Sequence, residues 1–181
     1  MLALSGPAAH ESSNELSFED LYREAVADVH GYAISLLGDR ASAEDVTALA
    51  FERLYRARSR LDPRRGTPRA LLFTIVRNAA LDELRRRARQ PQLLAEPEAV
   101  DQHDADEQLA RIERRETVRA ALSALTLRER EVVLLKFHGQ LTNAELGRVL
   151  SISETNAATR LHRALRSMRE HCADGNREEV A

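Results

Sequence analysis

Residues 141–169, LTNAELGRVLSISETNAATRLHRALRSMR, leave few ways for the chain to fold. Thr142 followed by Glu145 has the capping-box pattern, in which the hydroxyl serves the amide three residues on and the carboxylate reaches back to the cap. Leu146, Val149 and Leu150 then continue at helical spacing. Ser151, Ile152 and Ser153 interrupt that run, and Ser153 is suited to cap a second helix. There Ala157, Leu161, Ala164, Leu165 and Met168 share the inward face, leaving Thr155, Asn156, Thr159, Arg160, Arg163 and Arg166 for other faces. A short helix, a tight turn and a longer helix with small polar and Arg residues near its start match a helix-turn-helix DNA reader. An ordinary helical hairpin has the same spacing, and spacing alone does not separate the two.

The rest of the chain is consistent with helices throughout. Trp is absent and aromatics make up 4% of the 181 residues, so a core has to be built from Leu, Ala, Val and Ile. The length allows one domain or two small ones. With seven glycines and five prolines, and with apolar residues at helical spacing, the expected fold class is all-α: two small helical domains joined by an acidic flexible linker, the second containing the helix-turn-helix. A single cysteine, Cys172, excludes an internal disulfide framework and fits a reducing compartment. Its neighbour His171 adds one metal-ligand type, too few for a zinc site. Neither a signal pattern nor a run of about 18 apolar residues occurs, so the expectation is a soluble cytoplasmic protein with no membrane insertion.

The net charge of −2 conceals strong blocks. Residues 11–52 carry ten acids against Arg23 and Arg40, residues 53–89 carry twelve arginines against Asp62, Asp82 and Glu83, and residues 90–107 carry six acids and no Lys or Arg. Blocks of this kind indicate separate surfaces for separate partners, although solvated helix faces in an Arg-rich protein give the same pattern more weakly.

In chain order, residues 1–14 have no periodicity and read as a disordered lead-in. Ser17 is placed to cap a helix to about Leu37, closed by Gly38, and Ser42 with Asp45 to open the next, ending near Ser59. In that second helix Val46, Ala50 and Leu54 form one row, with Leu49, Phe51 and Tyr55 flanking it. So wide an apolar face means either central packing or packing on one side and a partner on the other. RLDPRRGT, residues 60–67, is a loop by its Pro, Gly and Asp. Pro68 then starts a helix to about Ala88, with Leu71, Leu72, Ile75, Ala79 and Leu84 as core candidates. Arg69, Arg77, Arg85, Arg86, Arg87 and Arg89 are expected on its outside, and Asn78 and Asp82 on one face. These elements make a domain over residues 15–89, followed by a linker over 90–107. A second domain over 108–172 contains a further capping box, Thr126 with Glu129, a helix ended by Gly139, and the helix-turn-helix. Residues 173–181 read as a frayed tail.

Catalytic constellations are missing from the pattern. The glycines are scattered singly, no serine has a nucleophile-elbow context, and the six histidines contain no HExxH pair. The expectation is a protein that is not an enzyme and needs no cofactor and no metal.

Three stretches carry a family resemblance. LGDRASAEDVTALAFERLYRA (37–57), RALLFTIVRNAALDELRRR (69–87) and ALTLREREVVLLKFHGQLTNAELGRVLSISETNAATRLHRALRSMRE (124–170) together resemble the bacterial RNA polymerase sigma factors of the extracytoplasmic-function (ECF) group, over about residues 17–170. The resemblance implies two helical domains, regions 2 and 4, that direct promoter-specific initiation by recognising the −10 and −35 elements. It implies that Asp45, Val46, Phe51 and Leu54 meet the core polymerase. It implies that Arg60, Arg64, Arg65, Arg77, Asn78 and Arg85 hold the opened −10 strand, where a base leaves the stack and Arg neutralises phosphates. It also implies that Asn156, Thr159 and Arg160 approach −35 base edges, while Thr142, Arg163 and Arg166 meet phosphates. The implied partners are core RNA polymerase, promoter DNA and an anti-sigma factor.

The chain departs from the family pattern at Ala48 and Leu49, where a Gln-Glu pair is usual, and at Leu71, where Trp is common. Thr155 and Asn156 replace a Gly-Thr pair, and Ala158 replaces a basic residue. These departures point to a differently built polymerase contact and a −35 preference of its own. Two other readings compete: a helix-turn-helix regulator that works without polymerase, and a sigma-like adaptor that does not open promoters.

Overall fold

Gly38 ends the first helix, α1 (Phe18–Leu37), in the left-handed conformation, with φ of +69° and its N–H donating to Ile34 O at 2.8 Å. A left-handed residue after a helix end is inexpensive only for glycine. Asp39 follows in extended conformation and caps α2 (Arg40–Ala57), accepting from the Ser42 N–H at 2.9 Å. The start expected at Ser42 is therefore late, because the stronger acceptor lies three residues earlier. α3 (Pro68–Arg89) opens on Pro68 as the sequence suggests, with Thr67 Oγ1 accepting from the Ala70 N–H at 3.2 Å. This computed structural model describes residues 18–58, 66–89 and 109–178, in the last of which the side chains of 109–114 and 173–178 are excluded.

α1, α2 and α3 pack pairwise around one core. Ala25, Ala33, Ala43, Ala50 and Ala80 are fully buried and let the helix axes approach closely. Val29, Leu54, Leu72, Phe73 and Val76 fill the space between them, and Tyr32 meets Phe73 edge to face at 5.8 Å. The α3 core differs in detail from expectation. Phe73 and Val76 are fully buried, while Leu71, Ile75 and Leu84 only pack against its margin. A second aromatic group, Phe18, Tyr22, Phe51 and Tyr55, fastens the start of α1 to the end of α2, with Tyr22 and Phe51 at 4.7 Å.

The C-terminal half comprises α4 (Leu109–Ala124), α5 (Leu127–Phe137), α6 (Asn143–Leu150) and α7 (Glu154–Glu178), so that α7 continues past the Cys172 end expected from the sequence. No strand occurs among the described residues. Both capping boxes form: Thr126 with Glu129, and Thr142 with Glu145. α5 is closed by His138 in helical conformation, and the left-handed residue after it is Gln140 (φ +54°), not Gly139. Gly139 is required for another reason, since a Cβ there would lie 2.3 Å from Leu135 O.

The two halves touch. α1 and α3 lie against α5 and α6. Arg69, Phe73 and Arg77, four residues apart on α3, form one stripe along this seam. Arg69 donates to Asp28 Oδ2, to Gly139 O at 2.7 Å and to His138 O at 2.9 Å. Arg77 Nε lies 2.6 Å from Glu131 Oε1, and Thr67 donates to Glu145 at 2.6 Å. Neither Arg69 nor Arg77 lies on the outside of α3 as expected. The linker, residues 90–107, and the N-terminal residues 1–14 fall outside the described residues.

Candidate nucleic-acid interface

The helix-turn-helix is set by two local devices. Ser151 adopts the left-handed conformation (φ +56°), and its N–H bonds back to Arg148 O at 3.2 Å, turning the chain within three residues. Gly147 lies directly beneath the turn, and a Cβ there would approach Ile152 O at 2.8 Å. Ser153 Oγ then accepts from the Asn156 N–H at 3.2 Å, the cap expected of it. Ala157 and Ala164 are fully buried and fix which way α7 faces.

Around α7 from these alanines, Asn156, Thr159 and Arg163 are exposed, and Arg160, next to the buried edge, is half-exposed. Their spacing of three and four residues places them on one face. Arg160 Nε donates to Asn156 Oδ1 at 3.2 Å, and the Thr159 hydroxyl donates to Thr155 O at 2.9 Å. Arg166 is at the edge of this face, 3.7 Å from Glu170. Thr142 is exposed at the start of α6, where its hydroxyl and backbone N–H both engage Glu145. Five of the six −35 candidates thus share one sector of α7, and Thr142 caps α6. Ala158 is not among them: it is half-buried and about 200° around α7 from Asn156.

The −10 candidates divide. Asn78 and Arg85, seven residues apart, share an exposed face of α3, with Arg85 paired to Asp82 at 2.9 Å. Asp82 therefore holds a neighbouring arginine on this face. Arg77 is about a quarter-turn away in the seam and reaches Asn78 Oδ1 through Nη1 at 3.3 Å. Arg60, Arg64 and Arg65 lie outside the described residues. Two arginines of the basic block hold the fold together. Arg87 ties the end of α3 to Asp39 at 2.9 Å and Leu37 O at 3.0 Å, and Arg86 and Arg87 both grip Glu83. Those hydrogen bonds, first from Arg86 and then from Arg87, hold the Glu83 carboxyl at about 2.

Three of the four residues expected to meet the polymerase point inward: Val46, Phe51 and Leu54 are 6%, 5% and 1% exposed. The wide apolar face of α2 serves central packing between α1 and α3, and Asp45 alone of the four is exposed. The outward face of α2 consists of Glu44, Asp45, Ala48, Glu52 and Arg56, with Leu49 at its margin.

Residues 21–90 match the family described as Sigma-70 region 2, and residues 115–168 match Sigma-70, region 4. The chain is 31% identical to the ECF RNA polymerase sigma factor SigL of Mycobacterium tuberculosis over 172 residues, 93% of this chain and 94% of that protein. The chain belongs to the ECF sigma factors. It is 27% identical to SigK of Mycobacterium bovis, over 89% of this chain and 88% of that one. The fold is that of the sigma factor RpoE from Bartonella quintana, solved with the anti-sigma factor NepR (TM-score 0.69, 20% identity, 85% of this chain and 95% of that one). It is also that of CnrH, solved with the cytosolic domain of CnrY (TM-score 0.60, 24% identity, 84% and 85%).

As a member of this family the sigma factor supports promoter-specific transcription initiation. Its departures from the family pattern fall in different surroundings. Ala48 is exposed on α2, Leu71 lies at the core margin, and Thr155 and Asn156 are exposed at the start of α7. No helix among the described residues is long and apolar enough to cross a membrane, and none of those residues form a metal-binding group.

Sequence reasoning missed two features. Arg69 has the local pattern of an outward basic residue, and nothing near it in sequence marks it as the cross-seam donor. The other is an apolar groove of about 960 Å³ between α4, α5 and α7, lined by Val118, Leu122, Val133, Leu134, Leu165 and Met168. Phe137 stands at its edge, 62% exposed.

Proposed function

We propose that this sigma factor grips its promoter at two points and the polymerase at a third, with roles divided among the residues described above. α7 lies in the −35 major groove, with Asn156, Thr159 and Arg160 toward base edges and Arg163, Arg166 and Thr142 toward phosphates. Asn78 and Arg85, with Arg77 and the loop arginines Arg60, Arg64 and Arg65, hold the opened −10 strand. The outward face of α2, centred on Asp45, docks on core polymerase, while Val46, Phe51 and Leu54 support it from beneath. The protein acts in the cytoplasm, by binding, and catalyses nothing itself.

The observation that carries this reading is the exposed face of Asn156, Thr159 and Arg163, with Arg160 half-exposed at its edge, on a helix anchored by the buried Ala157 and Ala164. The apolar groove between α4, α5 and α7 suits the apolar face of one partner helix. Because RpoE was solved with the anti-sigma factor NepR and CnrH with the cytosolic domain of CnrY, we assign to this chain an anti-sigma partner that uses such a helix.

Photo-crosslinking tests the division of roles. A photoreactive residue at Asn156 should label only −35 duplex in the initiation complex, and one at Asn78 only the −10 region. Labelling of the −10 region from Asn156 would overturn it.

A further inference from the structure

Arg40 pairs with Glu44 at 2.9 Å and Arg56 with Glu52 at 2.6 Å, so both charges are answered within α2. Arg58, which closes the same helix, is held differently. Its guanidinium carbon lies 3.7 Å from the centroid of the Tyr55 ring, and its Nη1 donates to Tyr55 O at 2.8 Å. A guanidinium pointing an N–H at the ring would hold its carbon a bond length further out, so at this distance the plane lies flat on the ring. The ring is itself seated against Phe18, edge to face at 5.1 Å. A basic residue at a helix end commonly contacts the last carbonyls, but that contact needs no ring, and the ring fixes the plane. Arg58 is exposed and has no carboxylate partner among the described residues.

We propose that the Arg58 guanidinium, laid flat on Tyr55, is a stacking platform for one unpaired base of the opened promoter strand, with Tyr55 as the residue that positions it. A fixed guanidinium plane in water offers a base a face to stack on, and it offers the strand a charge that no carboxylate answers. Holding the fork in advance also removes part of the rotamer entropy that a free arginine would lose on stacking. The platform rests on the reading that the first domain holds the −10 strand. Arg58 stands two residues before Arg60, on the way from α2 to α3.

The test assembles the full-length wild type and variants with core polymerase and titrates two fluorescent oligonucleotides of one length at fixed salt. One is a mixed-sequence single strand of DNA. The other is its fully abasic counterpart, which keeps the phosphates and lacks the bases, and core polymerase alone gives the background. Arg58→Lys keeps the charge and removes the plane. Tyr55→Phe keeps the ring, Tyr55→Leu removes it, and Arg85→Ala tests the strand-holding reading separately. The affinity of each variant for core polymerase is measured alongside.

Arg58→Lys should weaken the base-bearing strand about tenfold, within the range for one stacked base, and leave the abasic strand as in wild type. Tyr55→Leu should also narrow the gap between the two strands, and Tyr55→Phe should preserve it; a ring that served packing alone would alter neither. Arg85→Ala should weaken both strands. If Arg58→Lys matches wild type on both strands while Arg85→Ala weakens them, the platform is wrong and the strand-holding reading stands. If Arg58→Lys instead lowers the affinity for core polymerase with the preference for bases intact, the end of α2 is a polymerase contact and the platform is again wrong. If neither Arg58→Lys nor Arg85→Ala changes binding to either strand, the strand-holding reading fails and takes the platform with it.

Discussion

Arg160 reaches back one turn of α7 to Asn156, its Nε donating to Oδ1 at 3.2 Å. With Nε engaged, the two terminal nitrogens remain for a two-pronged approach to a guanine edge, whereas Arg163 has no such tether among its described contacts. Arg160→Ala is therefore expected to change which −35 sequences are chosen, by about 1–3 kcal/mol at one base pair. Arg163→Ala should weaken all sequences alike and reduce the salt slope by about one. Binding to a randomised −35 duplex library at several salt concentrations checks both. Equal losses on every sequence for the two variants would contradict the split.

The inward packing of α2 separates stability from polymerase binding. Leu54 is 1% exposed between its neighbours, so Leu54→Ala should cost about 2–5 kcal/mol of unfolding free energy. Asp45→Arg, on the exposed face, should leave the urea midpoint within about 0.5 kcal/mol while weakening the complex with core polymerase. Loss of polymerase binding from neither variant at a temperature where both are folded would contradict the assignment of this face.

At the helix-turn-helix the tight approach of Gly147 to Ile152 O and the Glu154 N–H leaves no room for a methyl group. Gly147→Ala should destabilise the C-terminal half by about 1–3 kcal/mol, despite the better helix propensity of Ala. It should also weaken −35 binding by tilting α7. Denaturant unfolding monitored by circular dichroism reads the first effect, and duplex binding the second.

Acid should loosen the first domain through Glu83. Its carboxyl, gripped by Arg86 and then Arg87, titrates at about 2 when folded, against an ordinary value of 4.5. A carboxyl lowered on folding adds stability that is complete above the unfolded value and is lost as pH falls through the folded one. Wild-type stability should decline as pH drops from 4.5 towards about 2, and Glu83→Gln should flatten that decline. Urea midpoints across this range are the measurement, and parallel curves for the two proteins would contradict it.

What the sequence disclosed follows from how local each signal is. The capping boxes at Thr126 and Thr142, the break at Gly38, the start at Pro68 and the inward alanines of α7 depend on residues a few positions apart, and all were legible. Asp39 and Ser42 are both good cap residues in sequence, and the structure has Asp39 as the cap, accepting from the Ser42 N–H and also bound by Arg87. The inward course of Val46, Phe51 and Leu54 was obscure because an apolar face looks alike whether it meets a helix of the same chain or a partner. The seam was illegible: Arg69 and Arg77 find their partners about 70 and 54 residues away in sequence, beyond any helical period. Ala158 is half-buried about 200° around α7 from Asn156, so that departure from family pattern lies off the face that Asn156 shares with Thr159 and Arg163.

Transcription by the reconstituted enzyme tests the central claim most directly. Purified chain added to core RNA polymerase, with genomic DNA of the same organism as template, should yield transcripts from a limited set of start sites that share −10 and −35 elements. Arg160→Ala should shift that set. Absence of any transcript dependent on the added chain, with core polymerase shown to be active on a control template, would contradict the account.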